Sequence, residues 1–264
     1  YSPNHLLLTG LAWDHADIYP SEKTYMDAFA MLTHSLPDNS VIVSNNNDVH
    51  IQHILKSSSQ NIVSYGENDA DYTYVNTKQS KSGLTFQIQH EKSIFNIDSS
   101  MLGLYQIANI TGAFALAHIY GIDADTIISS IASFTGIQRR LEKKCEGKIT
   151  VYDDIAHSPA KVASTLQTLR EIHTGRIIAI FEPNAGNRKD ASAPSYEHTF
   201  KDADEVIIPR LTKIKSDAHD QSWNEEDLAR VISKSHTTCH TIPDDEKLVR
   251  YLAEATKKPG VSGF

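Results

Sequence analysis

Cysteine is nearly absent: the chain holds only Cys145 and Cys239, and neither sits in a paired motif. That count disfavours a disulfide framework and a cysteine-rich zinc site, and it makes a reducing, cytoplasmic setting the expectation. No apolar stretch reaches about 18 residues, the length expected of a membrane span. The first residues lack the charged start and apolar core of a signal segment, so no membrane partner is expected. Positive charge is also in short supply. Lys and Arg number 25 against 33 Asp and Glu, for a formal net charge of -8. Basic runs are no longer than pairs such as Arg139-Arg140 and Lys143-Lys144, which disfavours nucleic acid as a partner. A glycine-rich phosphate loop of the form GxxxxGK[ST] is missing too, and this argues against a complete ATP enzyme. Neither an internal repeat nor a low-complexity tract is present.

What is present is the alternation of an α/β protein. At 264 residues the chain can bury one large core or two ordinary ones, and two domains are expected. Apolar runs at 6–11, 41–43 and 61–65 read as strands, with helices at 22–35 and around Ile51, Ile54 and Leu55 between them. That succession implies a parallel sheet. Between 71 and 97, short alternating segments separated by Ser and Gly turns predict an antiparallel meander. A long, broadly apolar helix over 104–120 ends at Gly121, and another covers 123–132. Beyond Pro159, a helix with Val162, Leu166 and Leu169 on one face leads to a strand at 177–181. Strands at 205–208 and 240–242 then alternate with helices at 196–203, 225–235 and 245–255. The second half is therefore expected to be a second α/β domain, with a hinge between 138 and 148.

Polar residues gather at the predicted strand ends. Residues 136–159 read GIQRRLEKKCEGKITVYDDIAHSP: an arginine pair, a β-type run at 148–152, then Asp153, Asp154, His157 and the helix start Ser158-Pro159. In an open α/β sheet, ligands lie in the crevice beyond the carboxyl ends of the strands. Arg140, beside Arg139, can clamp a phosphate or carboxylate through its fixed fork of donors, or simply pair with Glu142. Asp154 can accept from ribose hydroxyls or satisfy backbone donors ahead of Pro159, and His157 is either a catalytic candidate or a local capping histidine. In the loop 182–188, Arg188 is a candidate for carboxylate recognition; the alternative is an ordinary connection. His15, between Asp14 and Asp17, is a candidate ligand for a divalent metal beside phosphates, or part of a solvated turn. Asn109, inside the apolar helix, carries an amide that needs a partner, whether a nucleotide base or a neighbouring loop.

Taken together, these segments resemble the Mur ligases, ATP-dependent enzymes that add amino acids or peptides to UDP-N-acetylmuramic acid. The resemblance runs in order through Asp14-His15-Ala16-Asp17, the 103–109 stretch GLYQIAN, the 134–142 stretch FTGIQRRLE, the 153–159 stretch DDIAHSP and Phe181-Glu182-Pro183. It implies the remainder of a P-loop-type ATPase central domain with its antiparallel meander over 1–140, followed by a Rossmann-like C-terminal α/β domain over 141–264. It also implies roles. His15 resembles the histidine that ligates Mg2+ beside the ATP phosphates, Asn109 the asparagine near adenine, Arg140 the nucleotide-contacting arginine and Asp154 the aspartate at the ribose. His157 and Arg188 resemble the groups facing the muramyl substrate and the incoming amino acid. The implied chemistry is phosphorylation of the substrate carboxylate by ATP, followed by attack of an amine on the acyl phosphate.

The branches most resembled are UDP-N-acetylmuramate:L-alanine ligase and the recycling ligase that attaches an intact murein tripeptide. Phe29 and Ala30 stand where several other members carry a carbamylated lysine. Glu182 is similar to the tripeptide enzyme, whereas Arg188 keeps the spacing of the alanine enzyme, so both branches stay open. Asn184 replaces a histidine of the alanine enzyme, Tyr105-Gln106 a common His-Asn pair, and Ser158 the second histidine of an HHP pattern. The family's UDP-binding domain, phosphate loop and acidic magnesium ligand would precede Tyr1, and 259–264 reads as two family motifs with the strand between them lost. The chain is thus expected to be a fragment that does not turn over alone. A non-catalytic Mur-like binding or partner subunit and a folylpolyglutamate synthase relative are the alternatives.

Overall fold

The computed structural model describes residues 3–13, 18–212, 222–255 and 261–263. Two compact units divide the chain, Tyr1–Thr135 and Gly136–Phe264. Gly136 opens the second with φ 97°, a left-handed backbone that glycine adopts without a Cβ penalty.

The first unit holds β1 (Leu6–Leu8), α1 (Glu22–His34), β2 (Val41–Asn45), α2 (Val49–Leu55), β3 (Asn61–Gly66), β4 (Tyr72–Ser80), β5 (Gly83–His90) and β6 (Ser93–Ser99). Its six strands form one sheet in chain order. β1, β2 and β3 pair in parallel through their intervening helices, while β4, β5 and β6 form the antiparallel meander. Alternation along β2 sends Ile42 to one face and Val43 to the other. Ile42 packs with Leu8, Ile51 and Ile54 beneath α1 and α2. Val43 joins Tyr65, Tyr72, Phe86 and Ile110 on the face covered by α3 (Tyr105–Ile119) and α4 (Ala124–Ser133). Local signals set the helix starts: Ser21 and Thr24 close a reciprocal capping box on α1, and Asp123 accepts from Thr126 N at 3.1 Å to cap α4. Gly112 lets α3 approach the sheet closely, since a Cβ there would lie 2.7 Å from Tyr65 Cζ.

The second unit begins with β7 (Glu142–Glu146) and β8 (Thr150–Asp153), an antiparallel two-stranded ribbon. Here the structure departs from expectation: the supposed hinge contains β7, and β8 pairs with it rather than joining the larger sheet. Glu142 to Glu146 carries no apolar alternation because the ribbon edge is solvated and charge-paired, with Lys144 Nζ 2.7 Å from Glu142 Oε1. α5 (Pro159–Ile172), β9 (Arg176–Ile180), β10 (Glu205–Pro209), α6 (Glu225–Ile232), β11 (Cys239–Ile242), α7 (Asp245–Ala255) and β12 (Val261–Gly263) follow. Their strands make an all-parallel sheet in the order β11-β10-β9-β12. β9 and β10 are almost continuously apolar, as strands covered on both faces should be. The helix expected at 196–203 does not form: a 3-10 stretch, Asp190–Tyr196, ends where it should begin, and turns follow over 197–202. Pro194 within it lacks a backbone donor, and His198 at φ 57° prevents a helical continuation. No helix among the described residues is long and apolar enough to cross a membrane.

Candidate functional site

A cleft of about 580 Å³ opens at the carboxyl ends of β9 and β10, lined by Arg139, Asp154, His157, Glu182, Arg188 and Thr212 among others. Its lower lip is built by Asp154. One carboxylate oxygen accepts from Leu141 N and the other from Ala156 N, each at 2.7 Å, and Ile155 N donates to Arg139 O at 2.7 Å. These bonds hold Arg139 and Leu141 in left-handed conformations, φ 58° and 47°, which non-glycine residues rarely adopt unsupported. Asp154 therefore does satisfy backbone donors, the second of its two readings, while keeping lone pairs toward the cleft.

His157 is half-buried, and its Nδ1 lies 2.8 Å from Ile155 O. A carbonyl only accepts, so Nδ1 carries the proton and Nε2 keeps a lone pair when the ring is neutral. The backbone of His157 is held in turn by the loop after β9: Asn184 N and Asn187 Nδ2 donate to His157 O at 3.2 and 3.3 Å.

Arg188 occupies the opposite wall with its side chain only 5% exposed. Nε and Nη2 donate to Pro183 O, Nη1 donates to Thr212 O at 2.8 Å, and Nη2 reaches Glu182 Oε1 at 2.9 Å. The same Glu182 oxygen accepts from Thr212 N at 2.7 Å. This clasp joins the loop after β9 to the segment after β10. Partial burial pushes the Glu182 carboxyl up, but the bonds from Thr212 and the Arg188 charge outweigh it and leave it below the usual range.

The remaining predicted residues lie elsewhere. Arg140 is exposed in the turn before β7, its N–H bonded to Ile137 O at 3.2 Å, and its side chain makes no ion pair among the described residues. Asn109 belongs to the first unit, where it is exposed; its Nδ2 donates to Gln106 Oε1 at 3.0 Å. The partner its amide needed is thus one turn back on its own helix. His15 lies outside the described residues. Among those residues no group of three or more His, Cys, Asp or Glu is placed to hold a metal. The structure adds Thr212 and the clasp function of Glu182, which no sequence motif distinguishes from an ordinary loop residue and a family marker.

Fold and cleft together define a two-unit α/β protein of the kind that receives its ligand at strand ends. Matches to family models are more specific: the Mur ligase middle domain matches residues 1–117, and the Mur ligase, glutamate ligase domain matches 139–261. The chain belongs to the Mur ligase family. It is 26% identical over 242 residues to UDP-N-acetylmuramate–L-alanine ligase of Clostridium perfringens, covering 90% of this chain and 53% of that protein. Among solved structures it resembles the UDP-N-acetylmuramate-alanine ligase of Thermotoga maritima, with TM-score 0.74 and 20% identity over 100% of this chain and 56% of that one. It also resembles Mycobacterium tuberculosis folylpolyglutamate synthase complexed with ADP and AMPPCP, with TM-score 0.74 and 17% identity over 98% of this chain and 60% of that one. At these identities the structural likeness establishes the fold. The chain spans about half the length of the curated relatives it matches.

Proposed function

We propose that this chain forms part of an ATP-dependent carboxylate–amine ligase of peptidoglycan precursor synthesis or recycling, acting in the cytoplasm. It would join L-alanine or a murein peptide to UDP-N-acetylmuramate. The observation that carries this reading is the ordered match to both Mur ligase domains, in a chain whose second unit opens a polar cleft at its strand ends. ATP would supply the phosphoryl group that turns the muramyl carboxylate into an acyl phosphate, the electrophile an amine can attack.

In this reading Asp154 keeps a lone pair for a ribose hydroxyl after accepting its two backbone bonds, and exposed Arg140 offers its fork to the nucleotide. Asn109 has committed an N–H to Gln106, so its Oδ1 remains to accept from the adenine amino group. The Nε2 lone pair of His157 is suited to take a proton from the attacking amine. Arg188, locked by its four bonds, contributes a fixed positive charge and sets the loop around the incoming substrate. His15 is the proposed Mg2+ ligand, and no step is routed through it.

The test uses the full-length protein that contains this chain. ADP release should require both UDP-N-acetylmuramate and either L-alanine or the murein tripeptide. ADP release driven by a folate and glutamate would move the protein to the folylpolyglutamate synthases. Nucleotide binding without any release would make it a non-catalytic subunit.

A further inference from the structure

The turn that carries the arginine pair is held in an unusual backbone. Among the described residues of the second unit, three non-glycine residues have positive φ, and two of them flank Arg140: Arg139 at 58° and Leu141 at 47°. A Cβ disfavours that conformation, so both residues need support from outside the turn. Two carboxylates supply it. Asp154 Oδ2 accepts from Leu141 N at 2.7 Å, and Glu142 Oε2 accepts from Arg139 N at 2.8 Å. Between them Arg140 N donates to Ile137 O at 3.2 Å, so three successive N–H groups of the turn are bonded.

Both oxygens of Glu142 are engaged within this turn and ribbon. Its Oε1 lies 2.7 Å from Lys144 Nζ, which in turn lies 3.9 Å from Asp153 Oδ2. The bonds from Lys144 and from Arg139 N hold the Glu142 carboxyl below its usual range, which keeps it an anionic acceptor at neutral pH. A pairing of Glu142 with Arg140, which the sequence allows, does not form. The carboxylate turns to the backbone and to Lys144, while Arg139 Nε faces Asp153 at 3.7 Å. Arg140 is therefore the arginine of the pair that keeps its guanidinium out of any ion pair among the described residues, on a backbone fixed from both sides.

We propose that Glu142 is a positioning residue: its carboxylate holds the left-handed turn so that the unpaired guanidinium of Arg140 is preorganised for an anionic nucleotide. The inference rests on the ligase reading for the identity of that ligand, and deepens it by naming the residue through which Arg140 is presented. Glu142 acts only through Arg140, because both of its oxygens are already bonded.

A double-mutant cycle in the full-length protein that contains this chain separates positioning from general support of the fold, with ADP affinity read by calorimetry. Arg140→Ala should weaken ADP binding at least about tenfold, and Glu142→Ala at least about fivefold. In the Arg140→Ala background, Glu142→Ala should cost less than about twofold more, since no guanidinium is left to position. Glu142→Gln keeps an oxygen for Arg139 N and should recover most of the loss. An equal cost in both backgrounds, or an unchanged affinity in a folded Glu142→Ala, overturns the inference. Amide hydrogen exchange needs no variant: the Arg139 N–H should be protected in the unaltered protein although the residue is exposed. Free exchange there overturns the inference even if Glu142→Ala does not fold. Should ADP not bind the unaltered protein at all, it is the ligase reading that falls, and exchange at Arg139 still decides whether Glu142 holds the turn.

Discussion

The two units solve the same problem, a sheet layered with helices, by different means. In the first, strands pair in the order in which they occur, and the interior is held by large side chains: Tyr65, Tyr72 and Phe114 are each exposed by 1% or less. In the second, the strand order is interrupted, with β9 between β10 and a strand from the far end of the unit. There the strand ends are tied by ionised groups. Arg188 and Glu182 join the loops after β9 and β10, and Arg170 and Asp204 join the turn before β9 to the one before β10. A unit held by packing tolerates few volume changes, whereas one held by charged clasps should respond to pH and to loss of a single acceptor.

Phe114→Ala should produce the largest effect. It removes a fully buried ring that packs against Tyr72 and Phe95, at a cost of about 3–5 kcal/mol to the first unit. Urea unfolding followed by Trp223 emission in a Trp13→Phe background, which leaves a tryptophan only in the second unit, should show its midpoint unmoved. A matching shift at Trp223 would show that the units unfold as one and would erase the contrast. Asp154→Ala comes next. It orphans Leu141 N and Ala156 N, and it should cost the second unit about 2 kcal/mol. In the full-length protein it should also weaken ADP binding at least tenfold by calorimetry, and an unchanged affinity would refute the ribose assignment.

The smallest effect is acid sensitivity. For both Glu182 and Asp204, burial pushes the carboxyl up and is outweighed, by Thr212 and Arg188 for the first and by Ile177 N and Arg170 for the second. Both folded values are therefore depressed. Their contribution is complete above the unfolded carboxylate values of about 4 and is lost as pH falls through the lower folded ones. Because both groups stay partly solvated, the loss should be under about 1 kcal/mol. It should appear as a drop in the Trp223 unfolding midpoint between about pH 5 and pH 3 that is shallower in Glu182→Gln. An equally steep drop in the variant would mean that the clasp contributes nothing.

How legible each feature was in the amino-acid order follows the same division. The α1 boundary, the meander and the α7 span were readable because caps, alternation and apolar spacing are local. β7 was not, since its Glu-Lys-Lys-Cys-Glu run has neither period and is a strand through its antiparallel pairing with β8. Asn109 was expected to need a base or a neighbouring loop for its amide, yet it bonds Gln106 on its own helix. At the site, Asp154, His157 and Arg188 could be placed near strand ends from the βα pattern. What Arg188 touches could not, because Thr212 and Glu182 meet only when β9 and β10 lie side by side. Residue type announces a charge; only the fold decides whether that charge is already spent.

The position of β12 beside β9 has a consequence for the chain as it is made. The first unit's strands meet neighbours already synthesised, so its sheet can grow as the polypeptide emerges from the ribosome. β9 gains β10 early, but its other edge stays open until α6, β11 and α7 have all been translated and Val261–Gly263 follow. During that interval an apolar strand presents an unpaired edge, the feature most prone to mispairing in slow-folding sheets. The second unit is therefore the part of the nascent chain that most needs shelter from a chaperone.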